Sequence, residues 1–251
     1  KFGDIATGCL GGQQRVVDHC RKGSWIDSHT STLDAGAKFH RGGLRFCVVM
    51  ATLRFSYGTM GSGKSTLALQ IHHNMSSRGV AGLLLTKLDR DGSQVTSRLG
   101  VSAPAVDVYP ELNIYDLAQS KMPLQFLVCD EAQFYTVDQC DQLAKVVDEL
   151  GIDVYAFGLI SDFRGLLFDG TKRLLEIADQ RVEMQVEARC WCGSRANNNA
   201  RLVNGVIVYE GETVVVGDTD KTTSEPLFGD DVRYELLCRK HYLSGDLGAT
   251  Q

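Results

Sequence analysis

The 251-residue chain has no uninterrupted apolar run approaching the roughly 18 residues that a membrane-spanning helix needs. Proline is scarce, at 4 residues, which excludes collagen-like sequence. The 8 cysteines are too few and too scattered for a secreted disulfide scaffold. A basic excess is also missing: 26 Lys and Arg stand against 31 Asp and Glu, which argues against a protein that coats nucleic acid. No repeat with a period of about 20–50 residues is present. What remains is ordinary globular composition. With 43% hydrophobic and 23% charged residues, the chain can bury a sizeable core and is not globally disordered.

The charge is unevenly spread. Residues 1–49 hold 7 Lys and Arg against 4 Asp, a net of +3, so residues 50–251 hold 19 against 27, a net of -8. The first segment also carries 8 of the 26 glycines and shows neither helical nor strand periodicity. It lacks the apolar stretch of about 7–15 residues that marks a secretory signal. Its Asp residues weaken an organelle-import reading. Met50 directly precedes a well-patterned strand. The expectation is that Met50 is the native start and residues 1–49 are a poorly ordered extension.

From Thr52 onward, strand-like and helix-like segments alternate. Leu53, Phe55 and Tyr57 alternate as a strand, a glycine-rich turn follows, and Ser65–Ser77 reads as a helix. Val80–Leu85, Val106–Tyr109, Leu124–Cys129, Ile152–Phe157 and Arg181–Glu187 read as strands. Residues 86–98 read as a loop or weak helix, and helices are expected near Val137–Leu150 and around Leu174–Ile177. This order predicts an α/β fold, a mostly parallel sheet covered by helices. After residue 188 the pattern shortens and becomes strand-like, with a turn expected at Asn204-Gly205, strands at Val214–Val216 and Tyr234–Leu237, and a polar stretch over 217–231. Three segments are therefore expected: 1–49, an α/β domain over 50–187, and a smaller subdomain with a tail over 188–251.

Gly58, Thr59, Met60, Gly61, Ser62, Gly63, Lys64 and Ser65 fit the pattern G-x-x-x-x-G-K-[ST] between a strand and a helix. Glycines let backbone N–H groups curl around phosphate oxygens, and the helix N-terminus adds a positive dipole end. Lys64 is placed for the β- and γ-phosphates of ATP and Ser65 for Mg2+. The second element is Gln125–Asp130-Glu131, whose apolar run puts Asp130 at the C-terminal tip of a buried strand, beside the phosphate loop and suited to Mg2+. Glu131 is placed to act as a general base on the phosphate acceptor. The plain alternatives are a strand-end cap for Asp130 and a solvated carboxylate for Glu131. Thr86-Lys87-Leu88-Asp89 imitates a guanine-reading motif, but it precedes Asp130, whereas in GTPases that motif follows the Mg2+ aspartate. Asp130-Glu131-Ala132-Gln133 imitates a helicase box, but there is room for only one lobe.

Cys190-x-Cys192 and Cys238-x-x-His241 supply three thiols and one imidazole, a donor set suited to tetrahedral Zn2+ closing the long loop between the pairs. The alternative is two buried thiols plus an exposed Cys and His. Cys129 and Cys140 read as core residues.

Several motifs now stand in a fixed order: Gly58–Ser65; Asp130-Glu131-Ala132-Gln133-Phe134; Asp162-Phe163-Arg164-Gly165 with Phe168; the Cys190/Cys192 pair; and Tyr234 followed by Cys238-Arg239-Lys240-His241-Tyr242. In that order they resemble the type II thymidine kinases, over about residues 52–243. The resemblance implies a P-loop (RecA-like) sheet with helices on both faces, plus a small zinc-binding lasso subdomain. It implies a cytoplasmic enzyme that moves the ATP γ-phosphate to the 5′-hydroxyl of thymidine, with Mg2+ and structural Zn2+. No nucleic-acid or membrane partner is expected. It further implies a homotetramer inhibited by thymidine triphosphate.

By this resemblance Glu131 is the catalytic base, with Lys64 and Arg90 on the transferring phosphate and Arg164 a weaker candidate for the same task. Asp130, Glu131, Ala132 and Gln133 join Gly58–Ser65 around ATP. Met60, Phe134, Phe168, Val216 and Tyr234 line the nucleoside, and a lasso from about Val208 to Tyr234 closes over it. The stretch Gly217–Asp231 is longer and more acidic than usual for the family, and Cys-x-Cys replaces the Cys-x-x-Cys of many members. Two other readings compete: another deoxynucleoside kinase on the same scaffold, or a P-loop ATPase or nucleic-acid motor in which Glu131 activates water.

Overall fold

The computed structural model describes residues 50–87, 94–97, 100–184, 187–211, 213 and 231–248. The readings made for residues 1–49, for Leu88, Asp89 and Arg90, for Val214–Val216 and for most of the lasso stretch lie outside the described residues.

A six-stranded sheet forms the body of the protein. Its strands are β1 (Leu53–Gly58), β2 (Gly82–Thr86), β5 (Val106–Asp107), β6 (Phe126–Cys129), β7 (Asp153–Leu159) and β8 (Gln180–Glu183). They lie in the order β5-β2-β6-β7-β1-β8, and every pairing is parallel. Parallel strands need crossovers, and these run through α1 (Lys64–Ser76), α2 (Ile114–Ser120), α3 (Val137–Leu150) and α4 (Asp169–Ile177). Side chains of successive residues leave a strand on opposite faces. Leu127 and Cys129 therefore join Leu143, Val146 and Leu174 on the side of α3 and α4, while Phe126 and Val128 join Ala68 and Leu69 of α1 on the other. Helices thus cover both faces, as the alternation of segments predicts.

Local chemistry defines the boundaries. In α3, Thr136 and Gln139 form a reciprocal capping box, and Gly151 ends the helix at φ 67. Its inward stripe of Cys140, Leu143, Val146 and Val147 has the helical spacing that the sequence shows. The N–H groups entering β1 are satisfied by carboxylates: Thr52 donates to Asp153 Oδ1 at 2.9 Å and Leu53 to Asp179 Oδ2 at 2.8 Å.

Three differences from the sequence reading stand out. Residues 94–96, expected in a loop or weak helix, form β3 (Gln94–Thr96), paired antiparallel with β4 (Ser102–Pro104). Helix α2 went unforeseen. It is seven residues long, too short for a periodic signal, and starts where the Asn113 side chain accepts from the Asp116 N–H. The strand expected to reach Glu187 ends at Glu183. Although β7 lies between β6 and β1, the Asp130 carboxyl reaches the Ser65 hydroxyl of the phosphate loop.

Beyond residue 188 the chain forms a three-stranded antiparallel sheet, β10-β9-β11, from β9 (Asn198–Val203), β10 (Val206–Val208) and β11 (Val232–Leu237). The expected turn joins β9 to β10, with Asn204 at φ 52 and Gly205 at φ 79, the pair of left-handed residues that a two-residue hairpin requires. A short helix, α5 (Arg239–Ser244), follows β11. The core here is small: Ala188, Ala196, Ala200, Leu202, Leu237 and Tyr242 pack around Cys190 and Cys238.

Candidate active site

Because all six strands run the same way, their C-terminal ends share one edge, where ligands bind in open α/β sheets. Gly58, Thr86, Cys129 and Leu159 end their strands there, and the candidate residues follow directly.

The phosphate loop leaves β1 at Gly58. A Cβ on Gly58 would lie 2.6 Å from Ser62 Oγ and 3.0 Å from its Cβ, so a side chain there would force Ser62 to shift and disturb the loop's close curl. Gly63 caps α1 at φ 78, and Leu67 N–H donates to its carbonyl at 3.0 Å. Lys64 is buried and turned into the loop, with Nζ donating to Thr59 O at 2.7 Å and to Ser62 Oγ at 3.3 Å. Thr59 and Ser62 are buried, while Gly61 at the crest is exposed. The Met60 N–H points away from solvent and donates to Asn199 Oδ1 at 2.9 Å.

Asp130 is 2% exposed and its N–H donates to Leu85 O at 2.8 Å. Burial, reinforced by the charge of Glu131, pushes its carboxyl up to about 7, against the pull of the Ser65 hydroxyl, the Glu131 backbone N–H and Lys64. Asp130 Oδ1 is buried without a hydrogen-bond partner among the described residues. An orphaned carboxylate oxygen beside a serine hydroxyl and the phosphate loop is the donor chemistry that Mg2+ takes.

Glu131 adopts φ 52, a left-handed conformation that is uncommon for a residue with a side chain. Its carboxylate is not loose: Gln133 Nε2 donates to Glu131 Oε2. Gln133 Oε1 in turn accepts the Leu159 N–H at 3.0 Å. Ala132 and Gln133 are both buried. Gln133 was expected among the ATP-contacting residues, but its amide is engaged with Glu131 and β7.

Phe134 and Phe168 meet edge to face, with ring centroids 5.3 Å apart. The Phe134 carbonyl accepts from Lys87 Nζ at 2.6 Å. Tyr234 OH accepts from Arg201 Nε at 3.1 Å, and the Arg201 guanidinium lies 3.7 Å from the Phe163 ring centroid. Arg164 is paired with Asp162, its NH2 group 2.6 Å from Oδ2. That pairing is a local ion pair two residues apart in sequence, which engages the guanidinium at the loop itself. Arg90 and Val216 lie outside the described residues.

The metal-ligand candidates converge. The ligating atoms of Cys190, Cys192, Cys238 and His241 all lie within 4.8 Å of one another. His241 Nδ1 lies 3.3 Å from Cys190 Sγ and 3.5 Å from Cys238 Sγ, and Cys192 Sγ lies 4.0 Å from Cys238 Sγ. Tetrahedral zinc with Zn–S bonds of about 2.3 Å places its sulfurs about 3.8 Å apart, so the four groups could hold zinc. Hydrogen bonds from Ser194 draw the Cys192 thiol down to about 6, which favours the ligating thiolate, whereas burial raises Cys190. The Trp191 ring stacks on His241 at 4.3 Å.

Three contributors escaped the sequence reading: Lys87 under Phe134, Asn199 on the phosphate loop, and Gln133 as the holder of Glu131. Lys87 carried a signal, since it follows β2 on the ligand-binding edge. Asn199 carried none, because it lies 139 residues from Met60 in a different sheet.

Comparison with known proteins places this geometry in context. The profile of a family described as Thymidine kinase matches residues 51–242. A thymidine kinase of Streptomyces coelicolor is 50% identical over 198 residues, covering 77% of this chain and 89% of the relative. One from Cutibacterium acnes is 47% identical over 204 residues, covering 79% and 91%. One from Lactococcus lactis is 40% identical over 203 residues, covering 79% and 100%.

Proposed function

The chain belongs to the thymidine kinase family, and from that premise we propose that it transfers the γ-phosphoryl group of ATP to the 5′-hydroxyl of thymidine. The observation that carries this reading is the shared strand edge, on which a phosphate loop, a buried carboxylate with an orphaned oxygen and a tethered Glu131 stand together.

Phosphoryl transfer asks mainly for positioning and charge stabilisation. Lys64 leaves Thr59 O and Ser62 Oγ to meet the β- and γ-phosphate oxygens. Asp130 and Ser65 would hold Mg2+, which when bound neutralises phosphate charge. Glu131 accepts the proton of the 5′-hydroxyl as the oxygen attacks phosphorus, and Gln133 keeps its carboxylate aimed. The edge-to-face pair of Phe134 and Phe168 offers an aromatic face and an aromatic edge to a pyrimidine, with Met60 and Tyr234 completing the pocket. Arg90 and Val216 keep the roles implied by the resemblance.

Cys190, Cys192, Cys238 and His241 would hold zinc as a structural clip. The cytoplasmic location implied by the resemblance is part of the same proposal. We carry a homotetramer as part of the same proposal.

One assay tests the reading. The enzyme is incubated with Mg·ATP and, separately, thymidine, deoxyuridine, deoxycytidine or no acceptor. Thymidine 5′-monophosphate should form fastest. A preference for another nucleoside would move the enzyme to a different deoxynucleoside kinase. ATP hydrolysis at full rate without acceptor, raised by single-stranded DNA, would replace the kinase with an ATPase.

A further inference from the structure

Asn199 is the second residue of β9, belongs to the sheet that carries the metal-ligand cluster, and is 2% exposed. Its side chain leaves that sheet and bonds two loops of the nucleotide-binding domain. Oδ1 accepts the Met60 N–H at 2.9 Å, and Nδ2 donates to the Ser161 carbonyl at 3.4 Å. Met60 is the third residue of the phosphate loop, and Ser161 follows β7 on the same strand edge.

The other end of this link is fixed by the cysteine cluster. In the ladder with β11, Asn199 stands opposite Leu236, two residues before Cys238. Asn197 N–H donates to Leu237 O at 3.1 Å, and Cys190 N–H donates to Ser194 O at 2.9 Å. These bonds tie the backbone of both ligand pairs to the strand that carries Asn199. Among the described residues few large apolar side chains support this sheet, a setting in which a ligand clip would contribute much of the stability.

We propose that Asn199 is a positioning residue for ATP: it holds the Met60 peptide so that the phosphate loop is shaped before nucleotide arrives, and it makes that shape depend on the metal-held sheet. This rests on the reading that the loop takes ATP. A buried amide that satisfies two backbone groups has no apolar substitute, since its loss leaves both groups unpaired. A loop that must be ordered on binding takes that ordering cost out of its affinity.

The test uses the full, zinc-loaded chain and Mg·ADP as probe. N199A should weaken Mg·ADP binding and raise KM for ATP by about tenfold, while kcat falls much less and zinc content is unchanged. Y242F is the control. Tyr242 OH donates to Phe163 O at 2.7 Å, a second tie between the same two parts that does not touch Met60. It should leave Mg·ADP affinity within about twofold. Equal binding by wild type and N199A, or equal weakening by Y242F, would overturn the proposal. If wild type itself does not bind Mg·ADP, the ATP reading fails instead, before Asn199 is at issue. A second measurement stands even if N199A folds poorly. When zinc is withdrawn stepwise from the wild type, amide exchange should rise in the peptide covering 58–65 before it rises in the peptides of β6 and β7. Unchanged exchange at 58–65 after zinc loss would also refute the dependence.

Discussion

The amide of Gln133 clamps the carboxylate of Glu131 to β7, donating to Glu131 through Nε2 and accepting from the Leu159 N–H through Oε1. Gly158 makes room for the clamp: a Cβ there would lie 2.9 Å from Gln133 Oε1 and 3.0 Å from its backbone nitrogen. A base displaced by about 1 Å costs on the order of 100-fold in rate. Gln133→Leu should therefore lower kcat by about 10- to 100-fold while Mg·ADP affinity changes little. Steady-state kinetics and calorimetric titration measure the two separately.

Glu131→Gln keeps the shape and removes the base. General-base catalysis contributes about 10²- to 10⁴-fold, so kcat should fall by that order with ATP binding largely intact. A near-normal rate would remove Glu131 from the mechanism.

Asp130 sets a pH dependence with a definite sign. Its carboxyl, raised to about 7 by burial and by Glu131, stays protonated in the folded enzyme where the unfolded chain has already ionised. That mismatch costs stability from about pH 4 upward and is complete above about pH 7. The metal-free enzyme should lose stability across this window, and Asp130→Asn should flatten the profile. Mg·ADP binding should tighten over the same window and release a proton. Urea unfolding at a series of pH values, and titration in buffers of different ionisation enthalpy, read both effects.

Gly170, near the start of α4, touches the turn that follows Glu131. A Cβ there would lie 2.7 Å from Ala132 O, 2.7 Å from Tyr135 O and 2.8 Å from Gln133 O. All three obstacles are backbone carbonyls and cannot rotate away. Gly170→Ala should destabilise by about 1–3 kcal/mol, lowering Tm by about 2–4 °C for each of those kcal/mol. Activity should fall as well, because the turn must shift. Calorimetry and the thymidine assay check the pair.

Removal of zinc should loosen the β10-β9-β11 sheet first. Trp191, stacked on His241, reports the event. A chelator, or Cys238→Ser, should change Trp191 fluorescence and abolish stoichiometric zinc in metal analysis.

The parallel sheet was legible because β6 and β7 are apolar runs spaced by helix-length segments. The phosphate loop and Asp130 were legible because local glycine and carboxylate patterns carry their chemistry. Helix α2 and the β3–β4 pair were too short for periodicity to reveal. Cys190, Cys192, Cys238 and His241 could be paired by spacing, since ligand type announces a shared centre. Asn199 and Gln133 could not be given their tasks, because a buried amide declares its partners only through tertiary structure. Arg164 shows the converse: a functional-looking arginine whose charge is engaged by Asp162.

Strand β1 carries the phosphate loop and is the first strand described, yet both its neighbours, β7 and β8, come from far along the chain, with Leu53 facing Val154 and Arg54 facing Gln180. During synthesis this apolar segment must wait, unpaired, until well over half the protein has emerged from the ribosome. Late closure of such distant contacts makes folding slow and leaves early strands open to aggregation. A chain truncated before β7 should therefore fail to assemble the phosphate loop, because the loop's own strand then has nothing to lie against.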